Sequence, residues 1–131
     1  MTEDGSQKTE DRWVVKKHNF RNLKIYRRAV SFTVAIYAVS RSFPRDEIYG
    51  LTSQLRRATV SISLNIAEGS GCSSTKEFRH FLTIALRSDY EVMTCLEIAV
   101  QLGYCRKEDA NRLTEEADEI AAMITGFSKN L

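Results

Sequence analysis

One proline and six glycines are the only strong helix breakers in 131 residues. So few interruptions favour a handful of long helices over many short strands. The apolar residues agree. Leu23, Tyr26, Val30, Val34 and Tyr37 recur at helical spacing, with Ile25, Ala29, Phe32 and Ile36 forming a second stripe beside them. This predicts a first helix from about Arg21 to Arg41. Its apolar arc is wider than one neighbour needs and suits a helix that touches both its own bundle and another subunit.

Pro44 suits the first turn of the next helix, and Asp46 and Glu47 follow where a helix N-terminus favours negative charge. The second helix is predicted from about Asp46 to Glu68. Gly69 to Ser73 forms a turn, and Ser74-Thr75-Lys76-Glu77 reads as a capping box. The third helix then runs to about Leu102, with Phe78, Phe81, Leu82, Ala85, Val92, Cys95, Leu96, Ala99 and Leu102 inward, and Gly103 stops it. The fourth starts near Lys107. Ala110, Leu113, Ala117, Ile120, Ile124, Phe127 and Leu131 keep strict three-four spacing along it. Four helices with short connections give an all-α, antiparallel up-and-down four-helix bundle over residues 20–131. Residues 1–19 are polar, lack periodicity and read as a flexible tail.

Composition narrows the function classes. Hydrophobic residues make up 43% of the chain, enough for a core. No apolar run approaches a membrane span, and the first residues lack a secretory signal's apolar stretch. Three cysteines, with no C-x-x-C pair, point to reduced thiols in a cytoplasmic protein. The net charge of +2 conceals an asymmetry. Arg12 to Arg57 carries roughly nine excess positive charges, whereas Glu108 to Glu119 is acidic. Such a basic half either meets a polyanion or is neutralised by the acidic half within a bundle or oligomer. The candidate nucleic-acid-binding residues are Lys16, Lys17, Arg21, Lys24, Arg27, Arg28 and Arg56. No base-reading motif accompanies them, so contact would be electrostatic or shape-directed.

The second helix is unusual. Ile48, Leu51, Leu55, Ala58, Ile62 and Ile66 form one apolar stripe, and Val60, Leu64 and Ala67 another. Between them run Gln54, Arg57, Ser61, Asn65 and Glu68, while Thr52, Arg56, Thr59 and Ser63 occupy the expected wet face. A polar seam flanked by apolar residues is expected to be buried and paired. A short turn makes the second and third helices antiparallel. Arg57 would then meet Ser88 and Glu91, and Glu68 would meet Lys76, Arg79 or His80. An Arg57–Glu91 pair is expected inside the bundle or at a subunit contact.

"FPRDEIYGLTSQLRRATVSISLNIAEGSG", Phe43 to Gly71, followed by "STKEFRHFLTIA", Ser74 to Ala85, resembles the four-helix-bundle proteins of the bacterial 23S rRNA intervening-sequence family. The resemblance covers about Phe20 to Leu131. It implies a ring-like homopentamer, no established catalytic activity and a role with nucleic acid. It also implies an alternative: some relatives are accessory proteins of diversity-generating retroelements, which bind a reverse transcriptase and its RNA. The motif residues carried over are Gln54, Arg57, Ser61, Asn65, Glu68 and Gly69, then Lys76, Glu77, Phe78 and Ser88 to Glu91. Arg87 departs from the small residue many relatives have there.

Other chemistries fit poorly. Glu77-x-x-His80 has the spacing of a di-iron bundle but lacks the second pair, and Glu77 is explained by the capping box. Arg12-x5-His18 resembles a loose ribonuclease pattern, but it precedes the bundle. No histidine follows Cys72 as an obvious base, and a solvated bystander thiol fits it better. The Gly69–Ser73 turn lacks the ending of a phosphate-binding loop. No cofactor or metal is expected.

Overall fold

The computed structural model describes residues 19–131. Four helices, with no strand among the described residues, form the fold: α1 (Lys24–Ser40), α2 (Leu51–Ser70), α3 (Thr75–Gln101) and α4 (Lys107–Lys129). Short 3-10 turns, Phe20–Asn22 and Arg45–Glu47, precede α1 and α2. The expected tail lies outside the described residues apart from Asn19, whose side chain accepts the Arg21 N–H at 3.2 Å.

Each helix packs on its neighbours in chain order, and α4 closes on α1. The core is built from one row per helix, including Phe32 and Ile36, Leu55, Ile62 and Ile66, Leu82, Val92 and Leu96, and Ile120 and Ile124, each at most 1% exposed. Phe43 and Tyr104 meet at one end with ring centroids 5.8 Å apart. Phe78 and Phe127 meet at the other, 5.5 Å apart.

The helix ends follow local chemistry. Ser74 caps α3, its hydroxyl accepting the Glu77 N–H at 3.1 Å. That hydroxyl in turn donates a long 3.4 Å bond to the Glu77 carboxylate, so the two side chains of the capping box meet each other. Gly103 takes a left-handed φ of 79°. Its N–H bonds to the Val100 carbonyl at 3.0 Å, and the Tyr104 N–H to that of Ala99 at 2.8 Å. This double bond pattern closes α3 and needs the freedom of glycine.

Three expectations are corrected. First, α2 begins at Leu51, not Asp46, because Gly50 leaves the helical region at φ −117° and ψ −116°. The Glu47 carboxylate supplies the missing cap, accepting the Leu51 N–H at 2.9 Å. Second, Thr52 and Thr59 are buried at 3% and 0% exposure, although they were placed on the wet face. That face packs on α1. Thr59 donates its hydroxyl to its own helix's Leu55 carbonyl at 2.7 Å, so a threonine there needs no water. Third, Ile48 and Leu102, placed inward, are about half exposed. Both lie outside the helices, where the inward row has ended.

Candidate nucleic-acid interface

The basic residues of the first two helices do not form one patch. Arg21, Lys24 and Arg27 are exposed together at the start of α1. The Arg21 guanidinium lies 4.8 Å over the Phe20 ring, and Arg27 donates to the Arg21 carbonyl at 3.2 Å. Neither contact neutralises a charge. No carboxylate among the described residues forms an ion pair with these three.

Arg28 is different. Its guanidinium reaches across to α4, 3.0 Å from the Glu116 carboxylate and 2.6 Å from that of Glu119. Hydrogen bonds to Glu119 and Glu116 raise its pKa and hold it protonated. Here the basic and acidic parts of the sequence do neutralise one another. Arg56 is also engaged. It donates to the Ser40 hydroxyl at 2.9 Å and stacks over the Tyr37 ring at 4.6 Å. Those contacts sit about 20–24 Å along α1 from Lys24. Exposed Arg41 and Arg45, noted in the sequence only as part of the charge total, lie near that end. Lys16 and Lys17 fall outside the described residues, as do Arg12 and His18.

The polar seam of α2 is not buried as expected. Gln54, Arg57 and Glu68 are exposed, and only Ser61 and Asn65 are half-buried. Asn65 donates to the Ser61 carbonyl at 2.8 Å and lies 2.9 Å from the Ser61 hydroxyl. The Ser61 and Ser88 hydroxyls lie 2.9 Å apart, tying α2 to α3. Arg57 and Glu91 line one groove of about 310 Å³ but form no ion pair, and Glu91 instead accepts a long 3.5 Å bond from Gln54. Glu68 pairs with none of Lys76, Arg79 or His80. Arg79 instead closes the end of α4, donating to the Ser128 and Leu131 carbonyls at 3.1 and 2.9 Å. Gly69 is buried because α3 passes over it. A Cβ there would lie 2.8 Å from Phe78 Cδ1 and 2.9 Å from Phe81 Cβ. Ser61 thus links the helix pair, Asn65 braces it from within α2, and Gly69 permits the close approach of α3.

Two residues with specific environments had not been singled out for them. Glu47, besides capping α2, accepts the Tyr104 hydroxyl at 2.9 Å. Both bonds favour its carboxylate and lower its pKa. Asp89 is fully buried, and neither carboxylate oxygen has a hydrogen-bond partner. Burial, reinforced by Asp118, pushes its pKa up to about 7. The signal was available. The inward row Leu82, Ala85, Val92, Leu96 skips one step, and Asp89 fills it. Burial also pushes up the Cys95 thiol, as expected for a cysteine packed as a small hydrophobe. Among the described residues no group of three or more His, Cys, Asp or Glu could hold a metal ion, and no helix is long and apolar enough to cross a membrane.

The sequence matches the family described as 23S rRNA-intervening sequence protein over residues 21–126. This chain belongs to that family. Its fold is similar to a crystal structure from Bacteroides thetaiotaomicron, described as a protein of unknown function from the S23 ribosomal protein family. The TM-score is 0.74 at 23% identity, covering 80% of this chain and 98% of the other. That likeness supports the fold alone. No functionally curated protein matches.

Proposed function

We propose that this member of the 23S rRNA-intervening sequence protein family is a non-enzymatic, cytoplasmic homo-oligomer that binds structured RNA or another nucleic acid. The observation that carries the reading is the cluster of Arg21, Lys24 and Arg27. All three are exposed, close in sequence and without carboxylate partners among the described residues. In the homopentameric ring that the resemblance implies, this cluster repeats around the assembly and offers several cations to one phosphate backbone. Lys16 and Lys17 precede it in the sequence and belong to the same proposed set. Arg28 and Arg56 are assigned to holding helices together.

A labelled RNA hairpin, titrated with protein in a gel-shift assay at low salt, tests this. The wild type should shift it, and the Arg21→Glu/Lys24→Glu/Arg27→Glu variant should not. Absence of a shift with the wild type would overturn the reading. It would favour the second one, a protein-interaction scaffold such as an accessory subunit of a reverse transcriptase. The exposed valines of α1 and Leu64 of α2 support that alternative.

A further inference from the structure

The chain has five tyrosines, all among the described residues. Four are held in place. The Tyr26 ring packs edge-on against Phe20, with centroids 4.9 Å apart. Tyr37 lies under the Arg56 guanidinium, and Tyr104 donates its hydroxyl to Glu47. Tyr90 is half exposed, but its backbone is locked inside α3. Tyr49 is different. It is 95% exposed, and neither its ring nor its hydroxyl has a partner among the described residues. It lies outside the helices, between the Arg45–Glu47 turn and the start of α2. The fold gains almost no apolar burial from that ring.

We propose that Tyr49 is a phosphoacceptor for a protein-tyrosine kinase that reads acidic residues ahead of its target. The proposal goes beyond the nucleic-acid reading and does not depend on it. A kinase needs a free acceptor hydroxyl and a flanking backbone that can leave its own hydrogen bonds and enter the cleft. Around Tyr49 those bonds belong to short turns, from the Ile48 N–H to the Arg45 carbonyl at 3.1 Å and from the Gly50 N–H to that of Glu47 at 2.9 Å. Gly50 follows the acceptor and has no side chain to crowd it. Asp46 and Glu47 precede it. Glu47 is occupied by Leu51 and Tyr104, so exposed Asp46 is the carboxylate open to a basic kinase surface. In the transfer the phenol oxygen attacks the γ-phosphorus of ATP, the bond to ADP breaks, and the phenol proton passes to the kinase's catalytic aspartate. The product has a receiver. Tyr49 lines its groove with Ser53, Gln54, Arg57 and Glu91. Arg57 is exposed and has no carboxylate partner among the described residues. A phosphate, close to a dianion at neutral pH, supplies the missing anion, and Glu91 repels it toward the Arg57 side.

The test incubates the full chain with ATP, magnesium and the catalytic domain of a tyrosine kinase that prefers acidic peptides. Peptide mass spectrometry locates the phosphate, and circular dichroism confirms that each variant keeps its helices. Phosphate should appear at Tyr49, and Tyr49→Phe should take up none. Asp46→Lys should lower the initial rate about fivefold or more. No incorporation, or phosphate on another tyrosine with Tyr49 unmodified, would overturn the proposal. An unchanged rate in Asp46→Lys would overturn the acidic recognition. A ³¹P titration then examines the receiver. The midpoint of the phosphorylated chain should lie below that of the phosphorylated Arg57→Gln variant, because a guanidinium favours the dianion. Equal midpoints would overturn the contact with Arg57.

Discussion

Asp89 on α3 lies level with Asp118 on α4, and the buried Asp89 carboxylate receives no hydrogen bond while Asp118 raises its pKa further. The consequence is a stability that depends on pH in an unusual direction for a carboxylate. Its pKa is about 7 in the fold and near 3.8 when unfolded. Well below pH 3.8 the group is protonated in both states and costs nothing. As pH rises the unfolded chain ionises first, so the folded state loses ground until Asp89 itself ionises near pH 7. The full penalty is on the order of 4 kcal/mol. Asp89→Asn should therefore leave the melting temperature almost unchanged at pH 3 and raise it by several degrees at pH 8. Equal differences at both pH values would show that Asp89 is solvated or paired.

Gly69 sits where α3 passes close over α2. Phe78 and Phe81 occupy the space a side chain would need. Phe81 approaches through its Cβ, which cannot swing away without moving α3. Gly69→Ala should therefore destabilise the bundle by about 1–3 kcal/mol in urea denaturation, despite alanine's better helix propensity. A stabilised variant would mean that the helices separate freely at that turn.

Thr52 is 3% exposed and its hydroxyl has no partner. Thr52→Val keeps the shape and removes the unsatisfied group. A gain of about 1 kcal/mol in unfolding free energy is expected. A loss would reveal a hydrogen bond to that hydroxyl.

Arg28 and Lys24 lie one helical turn apart on α1 with opposite assignments. Arg28 braces α1 to α4 through partly exposed carboxylates, so Arg28→Gln should cost no more than about 1 kcal/mol. It should leave RNA affinity within twofold. Lys24→Gln should do the reverse, lowering RNA affinity and sparing stability. Chemical denaturation and RNA titration on both variants check the pair of assignments. Identical behaviour of the two variants would contradict it.

How much of this was legible in the sequence depends on which force placed each residue. The α4 row was readable throughout because nothing but burial selects Leu113, Ala117, Ile120 and Ile124. The α3 cap at Ser74 and the stop at Gly103 were readable because their chemistry is local. The start of α2 was not, because Glu47 acts on Leu51 and on Tyr104, which is 57 residues away. The rotation of α2 was misread for a related reason. A threonine bonded to its own helix counts as polar in a sequence pattern yet packs as an apolar group. Burying Thr52 and Thr59 turns the seam and the Val60–Leu64–Ala67 stripe outward. Within the basic set, the sequence does not show that Arg28 is matched by Glu116 and Glu119 while Lys24 is not. That distinction is tertiary.

The most direct measurement is the salt dependence of RNA-hairpin affinity, followed by fluorescence anisotropy for the wild type and for single Arg21→Gln, Lys24→Gln and Arg27→Gln variants. A log-linear loss of affinity with salt is expected, its slope falling by about one for each cation removed. Binding that is absent at low salt, or a slope indifferent to all three substitutions, would contradict a phosphate-contacting surface at the start of α1.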